Sequence, residues 1–167
     1  MPEIDLRNNY LAYNGYPIDT VFFEENIYKL ITIFGASEFL YNNFKNDNKN
    51  FFDRAKKFEE SKVSEILISL AIMSRSFLDS GSVNIDTNKD DHVGYIIIQE
   101  KEKKLSFRET CNKIIHAKNI NFDVNKSESV QGGFLSPIVY LYGEHQDDKW
   151  RAVINIVDFC KEAINCF

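Results

Sequence analysis

Arg108, Asn112 and His116 stand four residues apart in the segment Leu105-Ser-Phe-Arg-Glu-Thr-Cys-Asn-Lys-Ile-Ile-His-Ala117. In a helix, positions i, i+4 and i+8 fall on one stripe. That stripe would carry a guanidinium, an amide and an imidazole. A guanidinium grips an anion with a planar fork of donors, and an imidazole trades protons near neutral pH. These are groups that suit phosphodiester cleavage: the imidazole moves the proton while the guanidinium stabilises charge on the phosphate oxygens. Arg108, Asn112 and His116 are therefore the candidate catalytic residues.

The element that must position them is marked at both ends. Ser106 followed three residues later by Glu109 is a capping box, and Asn119 is a stop signal. The spacing predicts a helix over 105–118. At 100° per residue, Phe107, Thr110, Cys111, Ile114 and Ile115 share an arc that should face a core. Arg108, Glu109, Asn112, Lys113 and His116 share the opposite arc. Glu109 already serves the cap and is not assigned to catalysis. Arg108 falls in the first turn, where the helix dipole disfavours a cation by about a few tenths of a kcal/mol. An acidic neighbour or an anionic ligand is expected beside it. His116 falls in the last turn, where the dipole favours positive charge. The plainer reading of the same pattern is a solvated helix face opposite a buried one.

The run Arg108-Glu-Thr-Cys-Asn-Lys-Ile-Ile-His-Ala117 resembles the signature helix of HEPN domains, helical modules many of which are RNases of toxin–antitoxin and antiphage systems. Asn112 to Ala117 is the closest part. The resemblance implies a metal-independent RNA-cleaving cleft formed where two such helices meet in a dimer. It implies that Arg108 holds the phosphate, Asn112 orients it and His116 transfers the proton. No cofactor and no metal are implied.

The chain has 167 residues with a formal net charge of −5. That length fits one domain, 1–167, and is enough to bury a core. Scarce Pro and Gly argue against disorder. An acidic total disfavours a protein that coats nucleic acid. Within residues 100–118, however, Lys101, Lys103, Lys104, Arg108, Lys113 and Lys118 outnumber the acids. Such a run is ordinarily a solvated surface. If the stripe meets RNA, it is the electrostatic funnel. Cys111, Cys160 and Cys166 have neither disulfide nor metal-knuckle spacing, so reduced thiols are expected. No apolar run reaches membrane-spanning length, and the N-terminus has no signal-peptide core. A cytoplasmic protein without membrane contact is the expectation.

Residues 1–20 read as an irregular lead-in. Helical spacing marks 21–44, where Gly35 is a candidate break, and 51–78. Tyr95–Ile98 and Ile120–Val124 read as strands, with 100–104 as an exposed turn between elements. Pro137–Tyr142 and Trp150–Ile156 read as a hairpin around Gly143–Lys149, and Val157–Cys166 as a closing helix. The order predicts an α+β domain, a helical core with a small antiparallel sheet or hairpin. His145 in the hairpin loop is a second, weaker site candidate. The carboxylates beside His92 and His145 lack a complementary ligand set, so no metal site is assigned. Cys111 and His116 fall on opposite sides of the helix and cannot form a nucleophile pair.

Two functional readings follow. One is a metal-independent endoribonuclease or RNA-binding protein of a bacterial toxin or antiphage system, with RNA and an antitoxin as partners. It would be a homodimer whose interface borders the 105–118 helix, because a single convex helix encloses a phosphate poorly. The other is a non-enzymatic protein-interaction module in which the polar stripe is only surface and the hairpin with its aromatics, Tyr140, Tyr142 and Trp150, meets a partner.

Overall fold

A computed structural model of the chain describes residues 20–44, 49–80, 92–126, 133–146 and 148–165. The expected lead-in, apart from Thr20, lies outside them, as do residues 45–48, 81–91 and 127–132 of the connectors read at 42–50, 79–91 and 126–133; the flanks of the first connector are helical. The element order is α1 (Thr20–Phe44), α2 (Lys49–Asp79), β1 (His92–Ile98), β2 (Lys101–Ser106), α3 (Phe107–Ile115), β3 (Asn119–Lys126), β4 (Gly133–His145), β5 (Asp148–Asn155) and α4 (Ile156–Asn165). The fold is α+β. Its sheet is larger than the sequence reading allowed: five antiparallel strands in the order β2-β1-β5-β4-β3.

Helices α1 and α2 form an antiparallel pair. Phe23 meets Phe77 edge-on at 6.1 Å near one end. Near the other, the Ser37 hydroxyl donates to Glu59 at 2.9 Å. The same hydroxyl oxygen accepts the backbone N–H of Leu135 at 3.0 Å, which ties both helices to β4. Gly35 does not break α1, which runs unbroken through it.

Side chains alternate across the strands, so each strand offers one face to the helices. Leu105, Ile96, Ala152, Ile154, Trp150, Val139 and Leu141 supply that face. They meet Phe23, Ile27 and Leu30 of α1, Val63, Leu67 and Leu70 of α2, Phe107, Cys111 and Ile114 of α3, and Ile156, Phe159 and Cys160 of α4 in one core. All four helices therefore share one side of the sheet. Tyr95, Ile97, Tyr140, Tyr142, Arg151 and Val153 alternate onto the other side.

Three local devices shape the sheet. Gln99 and Glu100 both take positive φ, 48° and 65°, and make a tight two-residue turn from β1 to β2. Thus 101–106 is a strand, where the sequence had read a turn followed by helix. Its exposed run, Lys101-Glu-Lys-Lys104, hid it, because a strand at a sheet edge needs no apolar alternation and gains protection from charge. In β4, the register to β3 shifts between the Phe122–Val139 and Val124–Leu135 pairs, and Pro137 sits in that irregularity. Asn155 then caps α4 without a loop, its side chain accepting from the N–H groups of Val157 and Asp158.

Candidate functional site

The capping box read in the sequence is present. Ser106 has extended φ and ψ of −66° and 164°, and its hydroxyl accepts the Glu109 N–H at 3.2 Å. The Glu109 carboxylate accepts the Ser106 N–H at 3.0 Å and an ammonium proton from Lys103 at 2.7 Å. Partial burial raises the Glu109 pKa, but the bonds from Lys103 and Ser106 outweigh it and hold the carboxyl below its ordinary value. Helix α3 is shorter than the segment 105–118. Leu105 and Ser106 end β2, and His116 is the C-cap, its N–H donating to the Asn112 carbonyl at 3.0 Å.

Phe107, Thr110, Cys111 and Ile114 are buried and Arg108 and His116 are exposed, as the face sorting expected, whereas Ile115 and Asn112, assigned to opposite arcs, are both half-buried. The acidic neighbour expected for Arg108 is Asp79, whose Oδ1 lies 2.5 Å from Arg108 Nη2. Asp79 ends α2, where the helix dipole disfavours a carboxylate, and Arg75 reaches its other oxygen at 3.0 Å. Two cations thus offset one awkwardly placed acid. Both side chains of the Arg108–Asp79 pair are about half exposed, so it contributes no more than about 1 kcal/mol.

Within one copy, the stripe does not converge. Eight residues of helix separate Arg108 from His116 by roughly 12 Å along the axis. Arg108 is instead held by Asp79 of α2. The neighbouring basic residues are engaged too: Lys103 with Glu109, Lys118 with Glu144, and Lys113, whose Nζ sits 4.6 Å from the centre of the Trp150 ring. Burial and the neighbouring Lys103 pull the Lys113 pKa below its ordinary value, against the pull of Glu109.

The remaining candidates separate in space. His145 is exposed at the end of β4, opposite Asp148, and His92 is exposed at the start of β1. Asp90 and Asp91 lie outside the described residues. Among the described residues, no group of three or more potential ligands could hold a metal ion. Cys111 is fully buried while His116 is exposed, as their spacing required. Trp150 is buried rather than presented at a surface, and Tyr140 and Tyr142 are half-buried. No described helix is long and apolar enough to cross a membrane.

The sequence reading missed the exposed apolar residues of α1 and α2. Val21, Tyr28 and Phe39 of α1 are 72%, 71% and 62% exposed, and Phe58 of α2 is 68% exposed. Ile31, Ile68 and Ile72 are exposed as well. A signal was available: α1 carries apolar residues on two opposite arcs, and only one arc can face its own core.

No protein-family model matches the chain, and neither a curated protein nor a solved structure matches it, so the residues and their geometry carry the functional argument.

Proposed function

We propose that the chain is a non-enzymatic interaction module that works by docking another protein surface onto the outer face of α1 and α2. One observation carries this reading: large apolar side chains stand exposed on that helix pair, among them Val21, Tyr28, Ile31, Phe39, Phe58, Ile68 and Ile72. Scattered exposed apolar residues are ordinary. These are not scattered. The Phe23–Phe77 and Ser37–Glu59 contacts set the antiparallel register, which brings Tyr28 level with Ile72, Ile31 with Ile68, and Phe39 with Phe58. Three aromatic side chains exposed by about two-thirds, at roughly 200 Å² each, contribute about 400 Å². The four aliphatic ones bring the total to on the order of 700 Å², beyond the largest patch of a typical monomer.

The second reading, RNA cleavage or binding at Arg108, Asn112 and His116, draws on the exposure of Arg108 and His116 and on the HEPN resemblance. One assay separates the two. Wild type and His116→Ala are incubated with mixed RNA without metal. Intact RNA and no RNA binding at high protein concentration are expected. Fragments ending in cyclic phosphate, made by wild type and lost in the variant, would replace the interaction reading with the nuclease reading.

A further inference from the structure

We infer that the occupant of the α1–α2 face is a second copy of this chain, related by a twofold axis whose contact is centred near Gly35. The inference rests on the interaction reading and names its partner.

Gly35 is the first ground. It lies in the middle of a 25-residue helix, where glycine is less favourable than alanine by about 1 kcal/mol. Nothing among the described residues requires it. A Cβ built at Gly35 meets no atom within 4 Å, and the residue is exposed. Its φ lies outside the left-handed range that would demand a glycine. A residue that costs stability and is needed by no internal contact points to an approach from outside. The surroundings fit that approach. Val21, Tyr28 and Gly35 are seven residues apart, and Phe39 follows Gly35 by four. Heptad spacing keeps a seam facing a partner helix, and a glycine on the seam is a hole for a partner's side chain.

Charge is the second ground. Within α1, Lys29 pairs with Glu25 at 2.7 Å, which leaves exposed Glu24 and Glu38 to give the helix its acidic balance. At the start of α2, Lys56 pairs with Glu60 at 4.0 Å, which leaves Arg54 and Lys57 exposed beside Phe58 against Asp53. Laying the acidic α1 of one copy across the basic start of α2 in the other pairs opposite charges. A twofold axis makes the pairing twice, because both copies use the same patch. This self-complementarity favours a second copy over an unrelated partner.

Area is the third ground. On the order of 700 Å² per copy gives about 1,400 Å² for the pair, within the range of specific, stable interfaces. The dimer places α1 and α2 at the axis, in contrast to a twofold along α3.

The test is sedimentation velocity on the full chain from about 1 to 100 µM, where a homodimer shows concentration dependence. Wild type is expected to move from monomer to dimer. Gly35→Gln fills the hole, and Phe39→Lys places charge on the seam. Each should shift the midpoint of association at least tenfold upward. Because both positions are exposed, neither change should lower the melting temperature of the monomer, so loss of association is separable from loss of fold. Arg108→Ala should leave association unchanged. A wild type that stays monomeric across the range overturns the inference. So does a dimer indifferent to Gly35→Gln and Phe39→Lys, or one lost with Arg108→Ala. RNA turnover that depends on His116 would instead overturn the interaction reading itself, whatever sedimentation shows.

Discussion

Replacing Gly143 by alanine should loosen the whole core through one ring. Gly143 of β4 lies directly opposite Trp150 of β5, and a Cβ there would overlap the six-membered ring of the indole. Comfortable carbon contacts need about 3.5–4.0 Å, so the ring or the strand must shift by on the order of 1.5 Å. Trp150 is only 5% exposed and packs among the core residues, which leaves little room to yield. Overpacking of this kind costs about 1–3 kcal/mol. Moving the ring also takes it from beneath Lys113, which forfeits about 0.5–1 kcal/mol of cation–π attraction. Alanine's lower entropy cost in a strand returns roughly 0.5–1 kcal/mol. The net loss is about 2 kcal/mol, a sizeable share of the roughly 5–15 kcal/mol by which domains are stable. Trp150 is the one tryptophan of the chain, so its fluorescence reports on this site without labelling. With a urea m-value of about 2 kcal/mol per molar, the unfolding midpoint should fall by about 1 M. The folded emission should move to longer wavelength. A midpoint within about 0.2 M of wild type, with unchanged emission, would refute the packing argument. The same substitution at Gly35, where a Cβ meets nothing, should raise monomer stability by about 1 kcal/mol.

The left-handed turn offers a gain: Glu100→Gly removes a side chain held at φ 65° and should stabilise the fold by about 1 kcal/mol in urea titration, while a loss would show the turn to be unstrained. Burial raises the Glu59 pKa above its ordinary value of 4.5, with the Ser37 hydrogen bond opposing and Glu60 adding to the rise. The native state then holds this proton more tightly than the unfolded state, so the contribution is complete below pH 4.5 and fades as pH rises through the folded value. Glu59→Gln should flatten that part of the stability curve, and parallel curves for variant and wild type would contradict the assignment. Burial pushes the Cys160 thiol up to about 12, and Cys111 is fully buried. A Cys166→Ser variant should therefore show no rapid reaction with a thiol reagent until denatured, and prompt native labelling of either remaining cysteine would disprove their inaccessibility.

What the sequence made legible was what local chemistry specifies. The Ser106–Glu109 box marks the start of α3, and its two faces sort by helical angle. The β-branched run at Tyr95–Ile98 and the C-terminal hairpin also emerge from local pattern. Strand β2 did not, because Lys101 to Lys104 carry no alternation and the Gln99–Glu100 turn lacks the Asn-Gly signal that usually announces such a geometry. The extent of β4 was hidden by Pro137, which reads as a strand start but sits inside the strand at a register shift. At the candidate site, the dipole argument called for an acidic neighbour or an anionic ligand beside Arg108, and the neighbour is Asp79. Its identity was not legible, since Asp79 comes from a different helix 29 residues away. The exposed arc of α1 was legible in principle, yet the spacing over 21–44 was read only as a helix, with its faces left unsorted.

Strand order has a consequence for how the chain comes together in time. β5 is the last strand made, and it lies in the middle of the sheet, between β1 and β4. Gly94 pairs with Ile154, sixty residues further along. At about 5–20 residues per second of synthesis, β1 waits roughly 3–12 s for that neighbour. Until β5 arrives, the described strands form two separate two-stranded ladders, β1–β2 and β3–β4, and such pairs are barely stable alone. α1 and α2 are complete well before then, with their inward Phe23, Leu30, Leu67 and Leu70 lacking the sheet they will cover. Nascent chains that stop short of Asn155 should accordingly be protease-sensitive throughout, and protection should appear abruptly once β5 clears the ribosome.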